Sequence, residues 1–426
     1  MDNIFIILPL IGIGLFSAIK VLQSPYLGIV FTAASLPIID LLPPIPYFTS
    51  LIPLVGVVTL FGYILQMVKN YRDSLFYFGN VHIWGLIFVW WIVFSNFKAA
   101  WFGATRNWFF TYGQLWVMAI LATQLLDTPK KHRVFMGVFS FVSIISALLA
   151  ILEGRIGYSI ETSLRSAGFA GNANEAARYF IVGLVFLNYL RGVVDSRILS
   201  NLTFTGMIIA FLGVFFTLSR TGILLLLSMF GLMLLLDPDR ETKMSFIIIF
   251  IIGFFLIFFV EESFLNIVRS IIPTIIQGSD TLGLRYKFWW AGWQMWKDNP
   301  LSGVGIGQYR EVLKYYARGL LPETILRSAT HNLYVNVLAE TGSVGFLVYF
   351  FMLLSALRNF WVAENITSLR TVWLLAFLVM LLGGVTMSSQ YDKLLWFCVG
   401  ISMCFSKQYE SSVLTQSKEV LQQARI

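Results

Sequence analysis

Hydrophobic positions in this chain come in long unbroken blocks, near 4–19, 26–42, 48–68, 81–96, 108–126, 134–152, 174–190, 202–217, 222–236, 245–260, 343–357, 371–387 and 393–405. A helix crossing roughly 30 Å of hydrocarbon needs about 20 apolar residues, so these blocks predict 12 or 13 transmembrane helices. The strands of a membrane barrel would instead alternate at a period of two. The expected fold is therefore all-α: a single polytopic transmembrane unit over 1–426, with one long polar loop at 261–332 carrying short interfacial helices. A polar tail occupies 407–426. The block 202–236 exceeds one crossing and is interrupted only at Ser219-Arg220-Thr221-Gly222, which predicts a tight turn at a membrane face.

Composition agrees with the pattern. The 426 residues are 58% hydrophobic and only 12% charged, against about a quarter charged in a soluble protein. The net charge of +8 is spread through short loops, which fits membrane topology rather than a nucleic-acid-binding stripe. Lys69/Arg72, Lys130/Lys131/Arg133, Arg191/Arg197, Arg240/Lys243, Arg358/Arg370 and the tail residues Lys407, Lys418 and Arg425 fall in alternate loops, predicted to be cytoplasmic. The other faces then look outward: Lys98/Arg106, 153–173, the Arg220 turn, 261–332 and Gln390–Lys393. Asp2 precedes the first apolar block with no basic residue before it, so no cleavable signal is expected. Cys398 and Cys404 both fall in the last block, so neither a disulfide framework nor a metal cluster is expected from them.

Nearly all recognisable polar chemistry falls on the outer set. Arg220 lies between two apolar helices, where it either anchors to headgroups or captures an anion; its planar fork suits phosphate oxygens. Arg285 opens a segment in which Trp289, Trp293 and Trp296 recur at helical spacing, which predicts an amphipathic helix lying at the interface and stopped by Asn299-Pro300. Of the three histidines, only His331 closes the long outer loop; as a lone residue it is either a hydrogen-bonded structural group or a catalyst. In Gly171-Asn172-Ala173-Asn174-Glu175, Asn172 or Asn174 suits a helix N-cap, and Glu175 and Arg178 are spaced to pair. The outer acids are scattered, with no Asp-x-Asp, His-Glu-x-x-His or Cys/His cluster, so no metal or other cofactor is expected. No P-loop or Gly-x-Ser-x-Gly occurs either. Any phosphate charge must then be met by arginine.

Four segments together resemble the O-antigen ligase and O-antigen polymerase superfamily of bacterial membrane glycan transferases. They are 171–175, Ser219–Gly222, the Arg285…Asn299-Pro300-Leu301-Ser302-Gly303-Val304-Gly305 run, and His331-Asn332 followed by Gly342-x-x-Gly345. The resemblance spans about 165–400, and it departs where Ala173 replaces a usual proline. It implies a glycan donor carried on undecaprenyl pyrophosphate and presented at the outer, periplasmic face of the inner membrane, with transfer to an acceptor sugar hydroxyl. In that reading Arg220 and Arg285 hold the pyrophosphate, His331 acts on the acceptor, and Asn332, Asn174, Lys98 and Arg106 contact substrate. Lys98 and Arg106 serve equally well as membrane anchors.

A polymerase would extend a repeat-unit glycan, with a chain-length regulator as a further partner; a ligase would attach the finished glycan to lipid A core. A transporter or flippase of lipid-linked glycan is the competing class, but it would place charges near the midplane and show an internal repeat, and neither is visible here.

Overall fold

The structure, a computed structural model, describes residues 16–41, 51–69, 76–95, 102–156, 166–260, 280–362 and 367–406. Among these no strand occurs, and the chain is an all-α membrane protein. A helical stretch at 16–23 leads into α1 (Tyr26–Ser35), followed by α2 (Leu51–Lys69), α3 (Asn80–Ser95), α4 (Phe102–Leu125), α5 (Pro129–Ile156), α6 (Ala173–Val193), α7 (Arg197–Phe216), α8 (Arg220–Leu236) and α9 (Arg240–Val260). Then come α10 (Asp280–Asp298), α11 (Tyr309–Tyr316), α12 (Leu333–Val362), α13 (Ser368–Gly383) and α14 (Lys393–Ser402). Five described helices are long and apolar enough to cross a bilayer by length and composition, within α2, α5, α6, α7 and α12; five shorter apolar helices accompany them. Most of the expected span 4–19, the tail 407–426, Lys98 and residues 261–279 lie outside the described residues.

Burial separates the helices into a centre and a rim. Helix α6 is apolar nearly all round and buried from Ala173 to Leu190 almost without interruption, as a helix surrounded by others must be. Helices α13 and α14 are buried to a similar degree. Helix α2, in contrast, exposes Val57, Phe61, Ile64, Leu65 and Val68, which costs nothing where the surroundings are lipid. Helix α14 reaches the centre because Gly400 lies against the α4 backbone. A β-carbon there would fall 2.1 Å from the Ala119 carbonyl oxygen, and the Thr123 hydroxyl donates to the Gly400 carbonyl at 2.6 Å.

Polar ties mark the end of the bundle that carries the basic loops. The Tyr26 hydroxyl donates to the Lys131 carbonyl, Trp373 Nε1 donates to His132 Nδ1, and Asn188 Nδ2 donates to the Thr242 carbonyl. His132 is thus a buried structural residue. So is His82, whose Nε2 meets the Thr123 hydroxyl.

Two expected spans are redrawn. The block 26–42 is not one long helix: α1 stops at Ser35 and tightens into a 3₁₀ turn, Leu36–Leu41, broken at Ile38. Pro37 withholds the amide that a continuing α-helix would use. The block 343–357 belongs to a longer element, since α12 already begins at Leu333 and is interrupted at Gly342, whose φ of 67° and ψ of −171° are not helical. Into that break docks the loop after α10. The amides of Val304 and Gly305 donate to the carbonyls of Ala339 and Glu340, both at 2.9 Å, and Ser343 N donates to the Pro300 carbonyl at 2.8 Å. The fit needs bare backbone on both sides: a β-carbon on Gly342 would sit 2.3 Å from the Leu301 carbonyl carbon, and one on Gly303 would sit 2.4 Å from that of Glu340.

Gly342→Ala therefore meets both a left-handed φ and a backbone clash, and should cost at least about 1–3 kcal/mol. The check is a lower midpoint of thermal unfolding in detergent, with Gly231→Ala, where an added β-carbon meets nothing within 4 Å, as the unaffected control.

Candidate functional site

The end of the bundle opposite those polar ties gathers the motif residues. Asn172 caps α6, its Oδ1 accepting from the amides of Asn174 and Glu175 at 2.9 and 3.4 Å. Asn174, not needed for the cap, reaches across to the next turn. Its Oδ1 accepts from the Ser219 hydroxyl at 2.6 Å, while Ser219 Oγ accepts from Gly222 N and caps α8. Gly222 lets α8 start directly against α6, since a β-carbon would fall 2.6 Å from that of Ala177. The Ser-Arg-Thr-Gly turn is thereby fastened to the Asn-Ala-Asn-Glu turn, with Arg220 as the first residue of α8.

His331 is held from both sides. The preceding Thr330 accepts from Trp289 Nε1 at its carbonyl, and its hydroxyl bonds to Asn336 Oδ1 at 3.0 Å and to the Ser388 hydroxyl at 2.7 Å. The following Asn332 caps α12, accepting from the amides of Tyr334 and Val335, while its Nδ2 donates to the Val385 carbonyl. Among the described residues only two non-glycines have positive φ, Leu218 at 50° and His331 at 51°. Each sits next to or within a motif, in a conformation that costs a residue with a β-carbon and persists only where its surroundings enforce it.

His331 opens onto a cleft of about 230 Å³, also lined by Asn174, Glu175, Arg178, Arg310, Tyr391, Asp392 and Lys393. Burial, reinforced by the positive charges of Arg285 and Arg310, holds its imidazole below the usual histidine range. Helix α10 brings Arg285 to this place by packing a Phe288, Ala291 and Met295 face into a small second core with α11 and Leu321. Trp289 and Trp296 turn inward to hydrogen bonds with Thr330 and Ser343. Of the three expected interfacial indoles, only Trp293 stays exposed.

Arg178 is almost fully buried and pairs with Asp392 at 2.6 Å; the charge of Glu175 also acts on it, and Glu175 accepts from the Tyr179 hydroxyl. The Asp392 carboxylate also caps α14 through Leu394 N. The other guanidinium nitrogens of Arg178, Nε and Nη1, have no hydrogen-bond partner among the described residues.

A second cavity of about 300 Å³ adjoins the first through Arg310, Ala329, Ser388 and Tyr391, and adds Trp108, Tyr112, Asn336, Glu340 and Gln390. Glu340 is committed to scaffolding there, accepting from Tyr309 N at 3.0 Å and from Asn336 Nδ2 at 2.9 Å. An apolar groove of about 620 Å³ between α1, α2, α3 and α4 meets both spaces: it shares Tyr391 and Lys393 with the first and Trp108 and Tyr391 with the second.

The structure thus gathers Asn174 and His331 in one cleft, with Arg220 flanking it beside Asn174 and Arg285 close enough to His331 to act on its charge. Asn332 caps α12 and donates to Val385, and it is not among the residues lining either polar cavity. Arg106 falls two residues before Trp108 on α4. Sequence reasoning missed Arg178, Arg310, Asp392 and Lys393. The i, i+3 spacing pointed Arg178 at Glu175, Arg310 follows the glycine run without a motif of its own, and Asp392-Lys393 looked like an ordinary turn.

The fold and site are those of a multi-helix membrane protein with a polar cleft at one end, beside an apolar groove. Residues 205–350 match the family model described as O-Antigen ligase, and this stretch supports the superfamily that the motifs resemble. It runs from α7 into α12 and holds Arg220, Arg285, Arg310, His331 and Glu340. No curated protein matches the chain.

Replacing Asp392 with Asn strands the buried Arg178 charge, and should lower stability by about 3–5 kcal/mol. The double variant Arg178→Met/Asp392→Leu should recover most of that loss, read as unfolding midpoints in the same detergent.

Proposed function

We propose that this chain is a metal-independent, inverting glycosyltransferase. It moves a glycan from undecaprenyl pyrophosphate to an acceptor sugar hydroxyl at the periplasmic face of the bacterial inner membrane. One observation carries the reading: an apolar groove shares Tyr391 and Lys393 with a cleft lined by His331, three cationic side chains and two carboxylates. That is the shape of an amphiphile with a polyprenyl tail and a diphosphate middle. The O-antigen ligase family match over 205–350 supports the transferase class.

In the reaction, the acceptor oxygen attacks the anomeric carbon and the bond to the pyrophosphate oxygen breaks with inversion. The acceptor proton passes to His331, a step worth roughly 10²–10⁴ in rate. The charge arriving on the departing pyrophosphate meets Arg178, Arg310 and Lys393 in the cleft, with Arg220 and Arg285 at its edge. Groups already oriented in a partly dry site stabilise that charge without having to reorganise. Burial and the nearby arginines disfavour the imidazolium form of His331 and so favour the neutral ring that can accept a proton.

We assign the acceptor to a growing repeat-unit glycan, which makes the enzyme a polymerase of O-antigen or exopolysaccharide, working with a chain-length regulator. The family model's description favours a second reading, ligation to lipid A core. Purified protein given lipid-linked repeat units alone should yield a ladder of longer products; product formed only when lipid A core is added would instead establish the ligase. Transfer should persist in EDTA.

His331→Ala should abolish transfer while leaving donor binding nearly intact, whereas Arg220→Ala and Arg285→Ala should weaken donor binding as well as turnover. Full activity in His331→Ala would remove it as the base. The acidic limb of kcat/KM should lie below the ordinary histidine value of about 6.5. Arg310→Gln takes away one cation facing the ring, so the limb should move to higher pH; an unmoved or lowered limb would show that another group titrates.

A further inference from the structure

The cavity lined by Trp108, Tyr112, Gln390 and Tyr391 differs in kind from its cationic neighbour. Its charged lining is one arginine, Arg310, against two carboxylates, Glu311 and Glu340, so it offers no net attraction to a phosphate. It is rich in aromatic rings: the Trp108 and Tyr391 rings lie 4.9 Å apart where the cavity meets the apolar groove. Gly307 makes room for that indole, since a β-carbon would fall 2.0 Å from Trp108 Cδ1, and its φ of 74° suits glycine. Two lining side chains also bury polar atoms with no partner among the described residues, the Tyr112 hydroxyl and Gln390 Oε1; Tyr112 is 0% and Gln390 3% exposed. Buried polar groups are nearly always satisfied, so a pair of orphans beside one cavity calls for an outside partner. At about 300 Å³ the space exceeds a single water's share of roughly 30 Å³ several times over.

We infer that this cavity is a sugar subsite, which reads the pyranose next to the pyrophosphate of the donor. The inference rests on the transferase reading and deepens it by naming the part of the site that selects the glycan. A pyranose has an apolar C–H face to lay on an indole and a ring of hydroxyl or acetamido groups that both donate and accept. Gln390 Oε1 takes a donor from it, and the Tyr112 hydroxyl gives one to it. Arg310 and Tyr391, shared with the cationic cleft, mark the boundary between sugar and phosphate.

Because neither orphan has a partner among the described residues, the near-isosteric Tyr112→Phe and Gln390→Met should leave the unfolding midpoint unchanged or raised. Each should raise the KM for a lipid-linked glycan donor about ten-fold, because a site built to hydrogen-bond a sugar loses that bond in the complex. Inhibition by undecaprenyl phosphate, which carries no sugar, should not move. Saturation-transfer NMR on the full chain with methyl glycosides of hexoses and 2-acetamido-hexoses should show at least one binder, lost in both variants. An unchanged donor KM in both variants, a parallel shift in undecaprenyl phosphate inhibition, or no glycoside binding to the wild type overturns the subsite. Transfer by a wild type whose variants behave normally would leave the reaction standing without this pocket. Glycoside binding that depends on Tyr112 and Gln390, in a protein that transfers nothing, would keep the pocket and remove the reaction.

Discussion

The site depends on a helix that is broken and then held broken. At Gly342 the backbone of α12 leaves the helical region, and the carbonyls of Ala339 and Glu340 take the amides of Val304 and Gly305 from the loop after α10. Inside a bilayer an unsatisfied carbonyl is expensive, and non-helical backbone is tolerated only where protein or a water-filled cavity covers it. The glycine loop is that cover. Its docking also positions the next helix, because the Glu340 side chain accepts from Tyr309 N and so sets the start of α11, which carries Arg310 to the boundary between the two polar spaces.

Three adjoining spaces then sort chemistry by kind. The apolar groove is lined by side chains indifferent to lipid. The cleft beside it sets three cations against two carboxylates, and its buried Arg178 is paired with Asp392 while two of its nitrogens have no partner among the described residues. The third space is nearly neutral and aromatic. Tyr391 lines all three and Arg310 lines both polar ones, so the three spaces lie side by side.

Legibility followed the range of the interactions involved. The helical blocks, the turn before Arg220 and the cap at Asn172 are local, and the residues that form them are neighbours in the chain. The same local logic misjudged α1, where Pro37 ends the helix early, and α12, which starts at Leu333 because Asn332 caps it. It also sent the tryptophans of α10 to a membrane surface. Packing against α11 and α12 decides that helix's orientation, and two of the three indoles bond inward.

At the site, the chain alone marked Arg220, Arg285, His331 and Asn174 as polar groups on one side of a series of apolar blocks, because alternation of helices dictates which loops share a face. It could not pair Arg178 with Asp392, 214 positions away, nor tie Asn332 to the Val385 carbonyl. It could not bring Trp108, Arg310 and Gln390 around one cavity either. Hydropathy marks which blocks can cross and which loops join them, since each block is defined by its own residues. Which charges meet is settled by how the helices pack, through backbone approaches such as Gly222 on Ala177 and Gly400 on Ala119 that no single segment contains.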